Sequence, residues 1–485
     1  MSHIRNLLIF VVVVMFCAAC ATVPGPAPTT TQSPTLSPAP VASQLPVAKP
    51  TEISTTSPAT RAPEPTVVPA PTEAPVAATE TTSISVGPYP PVPQGIPAGV
   101  LPEASPLGQA VVFAWNNLGM HCYQSDYSRF LILPPYNVLW AQVIARGGEP
   151  RIIQGQVSVA YNLPEVTQPE QHTNFWQWAA AYGWNLQPGV GLTGKKIAGT
   201  MDAAGDHFIA EGVPVVDVND AGTWDPYPFV VVQAKNGTST IATTVNVAPA
   251  STEMSCYICH QGDTQQGVMD NILGKHDSNE NTNLLDQAKS GKPVACNTCH
   301  ADPAMGVMDN HNAKTTLSGA MHTWHATRMK KPGVPENACQ SCHPGPSTQC
   351  LRGIHAKQGL TCTNCHGDLA QVGDAGRTPW VNLPACESCH TKNLQKASIT
   401  KIADPSQGLT ANSDALYRNS KAHGGGGIYC AACHGSPHAI YPTITERDNE
   451  QSIRLQGQPG TINQCEVCHM EKPDEPFWHM RTGGD

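Results

Sequence analysis

The sequence predicts a multidomain protein in which a β-sandwich-like N-terminal domain precedes a loop-rich domain with short α-helices. Three observations predict this fold class. Residues 105–250 contain short apolar runs typical of strands, and residues 251–485 contain seven copies of one cysteine–histidine motif. Only 13% of the residues are charged, whereas 45 are Pro and 41 are Gly. Because Pro and Gly interrupt regular structure, this composition favours loops over long helices.

Residues 1–20 predict a signal peptide. An apolar run from Leu7 to Phe16 is too short to span a membrane, and it is followed by small residues that end at Cys20. The segment resembles a bacterial lipoprotein signal. That resemblance implies that Cys20 becomes the lipidated first residue of an exported protein, anchored to a membrane and facing the periplasm or the cell surface. The alternative is ordinary secretion with a cleaved peptide.

Residues 21–104 predict a disordered tether. The segment is almost entirely Pro, Thr, Ala, Val, Ser and Glu, a composition that cannot bury a core. We interpret it as a stalk that holds the rest of the chain away from a membrane. The formal net charge of -9 argues against a nucleic-acid partner, because such a partner needs a basic surface.

Residues 105–250 predict a β-rich domain. Strand patterns occupy three segments: 110–115, 137–145 and 156–161. The best hairpin signal surrounds Asn236-Gly237, a pair that suits a two-residue type I′ turn. The aromatic-rich segment 171–186 predicts either a helix or an insertion. We expect a β-sandwich of the immunoglobulin-like kind that packs against the following domain or presents it.

Residues 251–485 carry a repeated chemical motif. Seven Cys-x-x-Cys-His motifs use fourteen of the 18 cysteines. In chain order they are Cys256/Cys259/His260, Cys296/Cys299/His300, Cys339/Cys342/His343, Cys362/Cys365/His366, Cys386/Cys389/His390, Cys430/Cys433/His434 and Cys465/Cys468/His469. On a helical turn, cysteines three residues apart share one side, where both thiols can bond to the two vinyl groups of one haem. The adjacent His then binds the iron from the proximal side.

One such motif alone could be a redox disulfide or half of a zinc site. Seven of them on an exported chain predict seven covalent haems of type c. The region has about 34 residues for each motif, too few for an ordinary apolar core. We therefore expect a haem-cored domain, in which short helices and loops surround the porphyrins.

On these motifs, residues 251–485 resemble the multihaem c-type cytochromes. The segment NNLGMHCYQSDYSRFLILPPYN (116–137) is similar to part of some large bacterial multihaem cytochromes of unassigned role. The resemblance implies low-potential electron transfer across the periplasm or at the cell surface.

Eight further histidines of the same region are candidates for the sixth iron ligand. Seven of them form the predicted set, namely His276, His322, His325, His355, His423, His438 and His479. The eighth, His311, lies in a predicted exposed loop. This supply favours bis-histidine ligation, and Met470 and Met480 near the last motif are the alternative type of ligand.

The positions of five of these histidines add detail. His355 and His423 recur at the same offset before a motif in an internal repeat, HAKQGLTCTNCHG and HGGGGIYCAACHG. His322 and His325 are three residues apart and could serve two haems from one helix. His438 follows the sixth motif closely. Three histidines of the middle domain are further candidates at an interface: His121, His172 and His207.

Two cysteines lie outside the motifs and the signal segment, Cys122 and Cys350. In an oxidising compartment a disulfide between them would join the two domains. The alternative is two separate thiols, one of them near a haem.

These observations predict an electron carrier or conduit that has no substrate of its own. Its partners would be other redox proteins or an extracellular electron acceptor. One alternative is a multihaem reductase of nitrite or a sulfur oxyanion, which needs an iron with an open sixth position. Another is a subunit of an extracellular cytochrome filament, or of another oligomer, in which one copy ligates a haem of the next.

Overall fold

The computed structural model describes residues 92–93, 95–329, 338–380, 382–384, 386, 421–422 and 427–474. All of them belong to one compact unit, Thr81–Asp485. Several predictions concern residues outside this described part: the signal peptide, Cys20, most of the tether, Cys389, His390, His423 and His479. Among the described residues, no helix combines the length and the apolar character needed to cross a bilayer.

Two antiparallel sheets form most of the middle domain. The strands of the described residues are β1 (Ala110–Asn116), β2 (His121–Cys122), β3 (Phe130–Leu131), β4 (Val138–Ala145), β5 (Arg151–Ile152), β6 (Ser158–Asn162), β7 (Ala198–Thr200), β8 (Asp202–Ala203), β9 (Phe208–Glu211), β10 (Phe229–Asn236), β11 (Ser239–Val247), β12 (Ala250–Ser251), β13 (Val294–Ala295), β14 (Lys421–Ala422) and β15 (Ile428–Tyr429). The first sheet has the order β8-β9-β4-β1, with β5 also paired to β4, and the second has the order β11-β10-β6-β7.

Strand β1 is buried on both faces, which explains its unbroken apolar run. Side chains alternate across a strand, so Val112 faces the core shared with the second sheet, where Val232 of β10 lies. Phe113 and Trp115 face the opposite side and pack with Ala432 of the motif region. The first sheet therefore lies between the second sheet and the motif region. Assignment of the domain to the immunoglobulin-like β-sandwiches stays a prediction.

The hairpin predicted around Asn236-Gly237 is present as β10 and β11, but its turn differs from the prediction. Asn236 pairs with Ser239, so the loop residues are Gly237 and Thr238. The only positive φ angle in this loop is that of Gly237, at 58°, whereas a type I′ turn needs two. The Asn belongs to the strand, because the pairing register extends one residue further than the turn chemistry suggested.

The motif region consists of one longer helix, several short helices and the loops between them. The α-helices of the described residues are α1 (Phe175–Trp178) in the middle domain, then α2 (Gln265–Glu280), α3 (Leu284–Lys289), α4 (Leu317–Ala326), α5 (Ile354–Lys357), α6 (Cys362–His366), α7 (Leu369–Val372), α8 (Cys430–His434) and α9 (Glu450–Gln456). Further single turns are 3₁₀ helices: Pro169–Gln171, Ala179–Tyr182, Ser255–Ile258, Cys296–Thr298, Pro303–Met305, Ala338–Ser341, Arg447–Asn449 and Cys465–Val467.

The end of the predicted tether packs against the folded unit. Arg447 Nε donates a hydrogen bond of 2.9 Å to the carbonyl oxygen of Gly95. Leu101 packs on an apolar cluster that contains Tyr227. Residues assigned to the end of the tether thus contact the folded unit, and the boundary at residue 104 stays a prediction.

Buried ion pairs join the middle domain to the chain that follows the sixth motif. Arg447 Nη1 lies 2.8 Å from the Asp225 carboxylate and 3.2 Å from that of Glu165. Within the motif region, Arg352 makes two hydrogen bonds to Asp448, of 2.6 and 2.8 Å. Charges this deeply buried need such partners. These contacts fix the two regions against each other and so position the motifs.

Candidate haem-binding sites

Six of the seven motifs lie within the described residues, and each forms one helical turn. The backbone N–H of His260 donates to the carbonyl oxygen of Cys256 at 2.9 Å, and the same bond recurs at His300, His343 and His469. The fourth and sixth motifs are the short helices α6 and α8. Of the fifth motif, only Cys386 is described. A helical turn brings both thiols to one side, as the spacing predicts.

The motif cysteines are accessible, unlike Cys122 of strand β2. Each described motif cysteine is at least partly exposed, whereas Cys122 is buried. Cys122 and Cys350 are separate free thiols, so the predicted disulfide is absent from this structure. The sulfur of Cys350 lies 3.8 Å from Nδ1 of His438. This arrangement matches the alternative of two thiols, one of which lies beside a candidate ligand.

The second cysteines of the described motifs are not enclosed by protein atoms. Cys259 is exposed, and the others, such as Cys299 and Cys365, are partly exposed. Among the described residues, none of these cysteines belongs to a group of three or more ligands that could hold zinc. Their thioether bonds to haem therefore stay a prediction.

Three motif histidines each face one of the predicted distal histidines. The imidazole ring centres of His343 and His322 are 6.1 Å apart, and the two planes differ by only 13°. Those of His260 and His325 are 6.4 Å apart. Helix α4 therefore presents two histidines, three residues apart, to two different motifs.

The third pair joins His366 of the fourth motif to His438, with the ring centres 6.2 Å apart. Iron bound to two opposed imidazoles has metal–nitrogen bonds of about 2 Å, which put the ring centres roughly 6 Å apart. All three pairs have this separation. The side chains present therefore fit a haem iron held between two histidines.

Hydrogen bonds at Nδ1 leave Nε2 of several of these histidines available. His322 Nδ1 donates to the Ser318 carbonyl at 2.8 Å, and His325 Nδ1 donates to the Met321 carbonyl. Among the motif histidines, Nδ1 of His300 donates to the Thr315 carbonyl at 2.8 Å. Such bonds fix the tautomer and aim the opposite nitrogen at the metal.

Burial favours the neutral form of three of the paired imidazoles. It lowers the pKa of His322 to about 4, an effect to which nearby His343 and Arg377 add. Burial likewise lowers the pKa of His366 to about 3 and that of His438 to about 4. Only a neutral imidazole can bind a metal, so these surroundings favour ligation across the physiological pH range.

The described motifs are neighbours in space, in an order that differs from their order in the chain. The turns Ser255–Ile258 and Ala338–Ser341 are in contact, so the first motif adjoins the third. The thiol of Cys362 lies close enough to raise the pKa of Cys339, so the third motif adjoins the fourth. The second motif adjoins α4, because His300 bonds to Thr315 just before that helix.

The fourth motif is linked to the sixth, because His438 follows the sixth-motif His434 by four residues. The sixth and seventh motifs share one apolar cluster, against which Cys433 and Cys468 both pack. The backbone N–H of Ile462, between these two motifs, also donates to the Cys433 carbonyl at 2.9 Å.

The middle domain supports three of these sites directly. At Gly119, with a φ of +84°, a Cβ atom would lie 2.4 Å from His438 Nδ1, so no side chain fits there. Nδ1 of His469 donates to the Gly148 carbonyl at 2.9 Å. Tyr429, next to Cys430, packs against Trp140 with ring centres 5.4 Å apart.

The other predicted ligands are placed as follows. His276 lies on α2, where its Nδ1 is 2.9 Å from Thr282 Oγ1, and no described motif histidine stacks on it. His355 lies on α5 and is partly exposed. His311 is exposed, in line with its predicted loop. In the middle domain, His121 uses Nε2 to donate to the Pro134 carbonyl at 2.7 Å, which occupies that nitrogen. His207 stacks on Trp140.

One supporting residue was missed from the sequence. Glu253 is fully buried and accepts hydrogen bonds from the backbone N–H groups of Gly345, Ser347 and Thr348. It thereby holds the loop that follows the third motif. Its local sequence carries no signal of this role, since the partners lie more than 90 residues away.

The chain is similar to known cytochromes. It is 26% identical over 238 residues to the multiheme cytochrome MtrA of Shewanella baltica (strain OS185), a match that covers 48% of this chain and 57% of that protein. It is 24% identical over 198 residues to the cytochrome c-type protein NrfB of Escherichia coli O6:H1 (strain CFT073), covering 36% of this chain and 86% of that protein. The chain thus spans less than two thirds of the length of the Shewanella protein.

No family model matches the chain, and no solved structure matches it. The two similarities nevertheless agree with the motifs and with the paired histidines. They support haem c as the cofactor and electron transfer as the general function. On these grounds the chain is similar to multihaem c-type cytochromes.

Proposed function

We propose that this protein passes electrons along a row of seven covalent haems, most of them ligated by two histidines, at the cell envelope or surface. The single observation that carries the proposal is the set of three imidazole pairs with ring centres 6.1, 6.2 and 6.4 Å apart. Each pair joins a motif histidine to a histidine predicted as a distal ligand. Bound haem iron supplies reversible one-electron oxidation and reduction.

The neighbouring positions of the motifs support a continuous path. The first, third, fourth, sixth and seventh motifs follow one another in space, and the second adjoins α4 beside the first and third. Helix α4 holds ligands for two sites at once, so it fixes their spacing. A compact unit that holds its redox centres side by side is suited to conduction.

Conduction is favoured over reduction of a small substrate by the supply of ligands. A reductase needs an iron whose sixth position is open or easily vacated. All seven motifs keep His, and three of the described motifs already have an imidazole opposite. The middle domain also packs closely on one of these opposite imidazoles, because Gly119 has no side chain to collide with His438.

Export and a lipid anchor belong to the same proposal. The signal segment resembles that of a lipoprotein and ends at Cys20, and a Pro-rich tether follows it. These features support a protein held at a membrane, with the haem region projecting from it. Partners would be other redox proteins or an extracellular acceptor.

Reoxidation of the fully reduced holoprotein tests the proposal. A soluble Fe(III) chelate should reoxidise all the haems, whereas nitrite and sulfite should not be turned over. Carbon monoxide should bind poorly to the reduced wild type but readily to His322→Ala, which serves as the control for an open iron. Repeated turnover of nitrite or sulfite by the wild type would establish the reductase instead.

A further inference from the structure

Three arginines are buried among the described residues, and one of them lacks a counter-ion. Arg352 and Arg447 both pair with buried carboxylates. Arg377 is only 9% exposed, yet no described acidic side chain forms an ion pair with it. Its Nε has no hydrogen-bond partner, and Nη1 reaches only the Val372 carbonyl, at 3.2 Å. A buried guanidinium without a partner is strongly unfavourable, so a group outside the described residues is expected beside it.

Arg377 lies near two of the candidate haem sites. The chain after α7 packs on α4, where Thr323 Oγ1 donates to the Gly373 carbonyl at 2.7 Å. A Cβ atom on Gly373 would lie 3.1 Å from Cβ of His322, which shows how closely this segment approaches the third-motif site. Upstream, α6 carries His366 of the fourth-motif site.

The electrostatic effect of Arg377 agrees with this position. Burial is the largest cause of the lowered pKa of His322 and of His366, and a neighbouring histidine comes next in each case. The charge of Arg377 lowers both pKa values further. The guanidinium therefore lies within electrostatic reach of both sites.

We propose that Arg377 binds a propionate carboxylate of one of the two haems that flank it, the His322/His343 haem or the His366/His438 haem. The inference rests on the proposed haem ligation and adds a positioning residue to it. A planar guanidinium pairs with a carboxylate through two parallel hydrogen bonds, and this geometry would satisfy the free Nε. The pairing would also neutralise a negative charge near the iron and so raise the reduction potential of that haem.

Replacement of Arg377 tests the inference through the potentials of the haems. Arg377→Gln should keep every haem attached and low-spin, because thioethers and iron ligands are untouched. Its spectropotentiometric titration should show one or two haems shifted to lower potential. Arg377→Lys keeps the positive charge but cannot form two parallel hydrogen bonds to a carboxylate. Its shift in reduction potential should therefore be smaller. Arg328→Gln is the matched control, since Arg328 is exposed and stacks 3.3 Å over Trp324.

A wild-type titration curve in Arg377→Gln, with full haem content, would overturn the inference. If Arg377→Gln loses haem, the haem content and the titration curve of Arg377→Lys test the inference in its place. Retained haem with a curve shifted to lower potential supports propionate binding, whereas a wild-type curve or equal loss of haem assigns Arg377 a purely structural role. Failure of the proposed function is distinguishable, because it would appear as a high-spin haem in the wild type whatever residue 377 is.

Discussion

Helix α4 offers the sharpest test of ligand assignment, because two of its residues face two different motifs. His322 stands opposite His343, and His325 stands opposite His260. His322→Ala should therefore open one iron, and His325→Ala should open a different one. With seven motifs in the chain, each single variant should convert about one seventh of the haem from low-spin to high-spin.

The double variant should convert about two sevenths, since the two sites are independent and their effects should add. All three variants should keep the wild-type number of haems, because the thioether bonds are unchanged. Electron paramagnetic resonance of the oxidised proteins, with spin quantification against a standard, measures these fractions. His311→Ala is the control, since its side chain is exposed and only its backbone contacts the second motif. An unchanged spectrum in either single variant, or a double variant equal to one single, would refute the assignment.

Three further predictions follow from the sequence and the packing. Asp448→Asn leaves the buried Arg352 without a full counter-ion, so the free energy of unfolding should fall by about 3–5 kcal/mol in a denaturant titration, and an unchanged midpoint would count against the pairing. The mature protein should carry seven haems that survive denaturation, by pyridine haemochrome assay and intact mass together, and fewer than six would contradict the motif interpretation. Wild type should stay with the membrane fraction after a salt wash whereas Cys20→Ala is released; equal solubility of both would indicate ordinary secretion.

Much of the candidate site could be predicted because its chemistry is local in the chain. The Cys-x-x-Cys-His spacing needs only one helical turn, and six of the motifs form such turns. The pairing of His322 and His325 with two separate motifs was also accessible, since residues three apart on a helix point the same way.

Long-range features could not be predicted in this manner. Sequence spacing does not tell which motif each distal histidine faces, and the third motif lies between the first and the fourth only in space. Glu253 and Arg377 acquire their roles from partners or neighbours distant in the chain. The turn at Gly237 differed by one residue because strand pairing, and not local turn preference, sets the register.

The spin state of the iron in the oxidised wild-type holoprotein tests the central claim most directly. Three imidazole pairs account for three of the seven motifs. If distal histidines close the other irons in the same way, the electron paramagnetic resonance spectrum should contain low-spin signals alone. A stoichiometric high-spin haem at neutral pH, lost when nitrite or sulfite is added, would contradict the conduit and point to a catalytic iron.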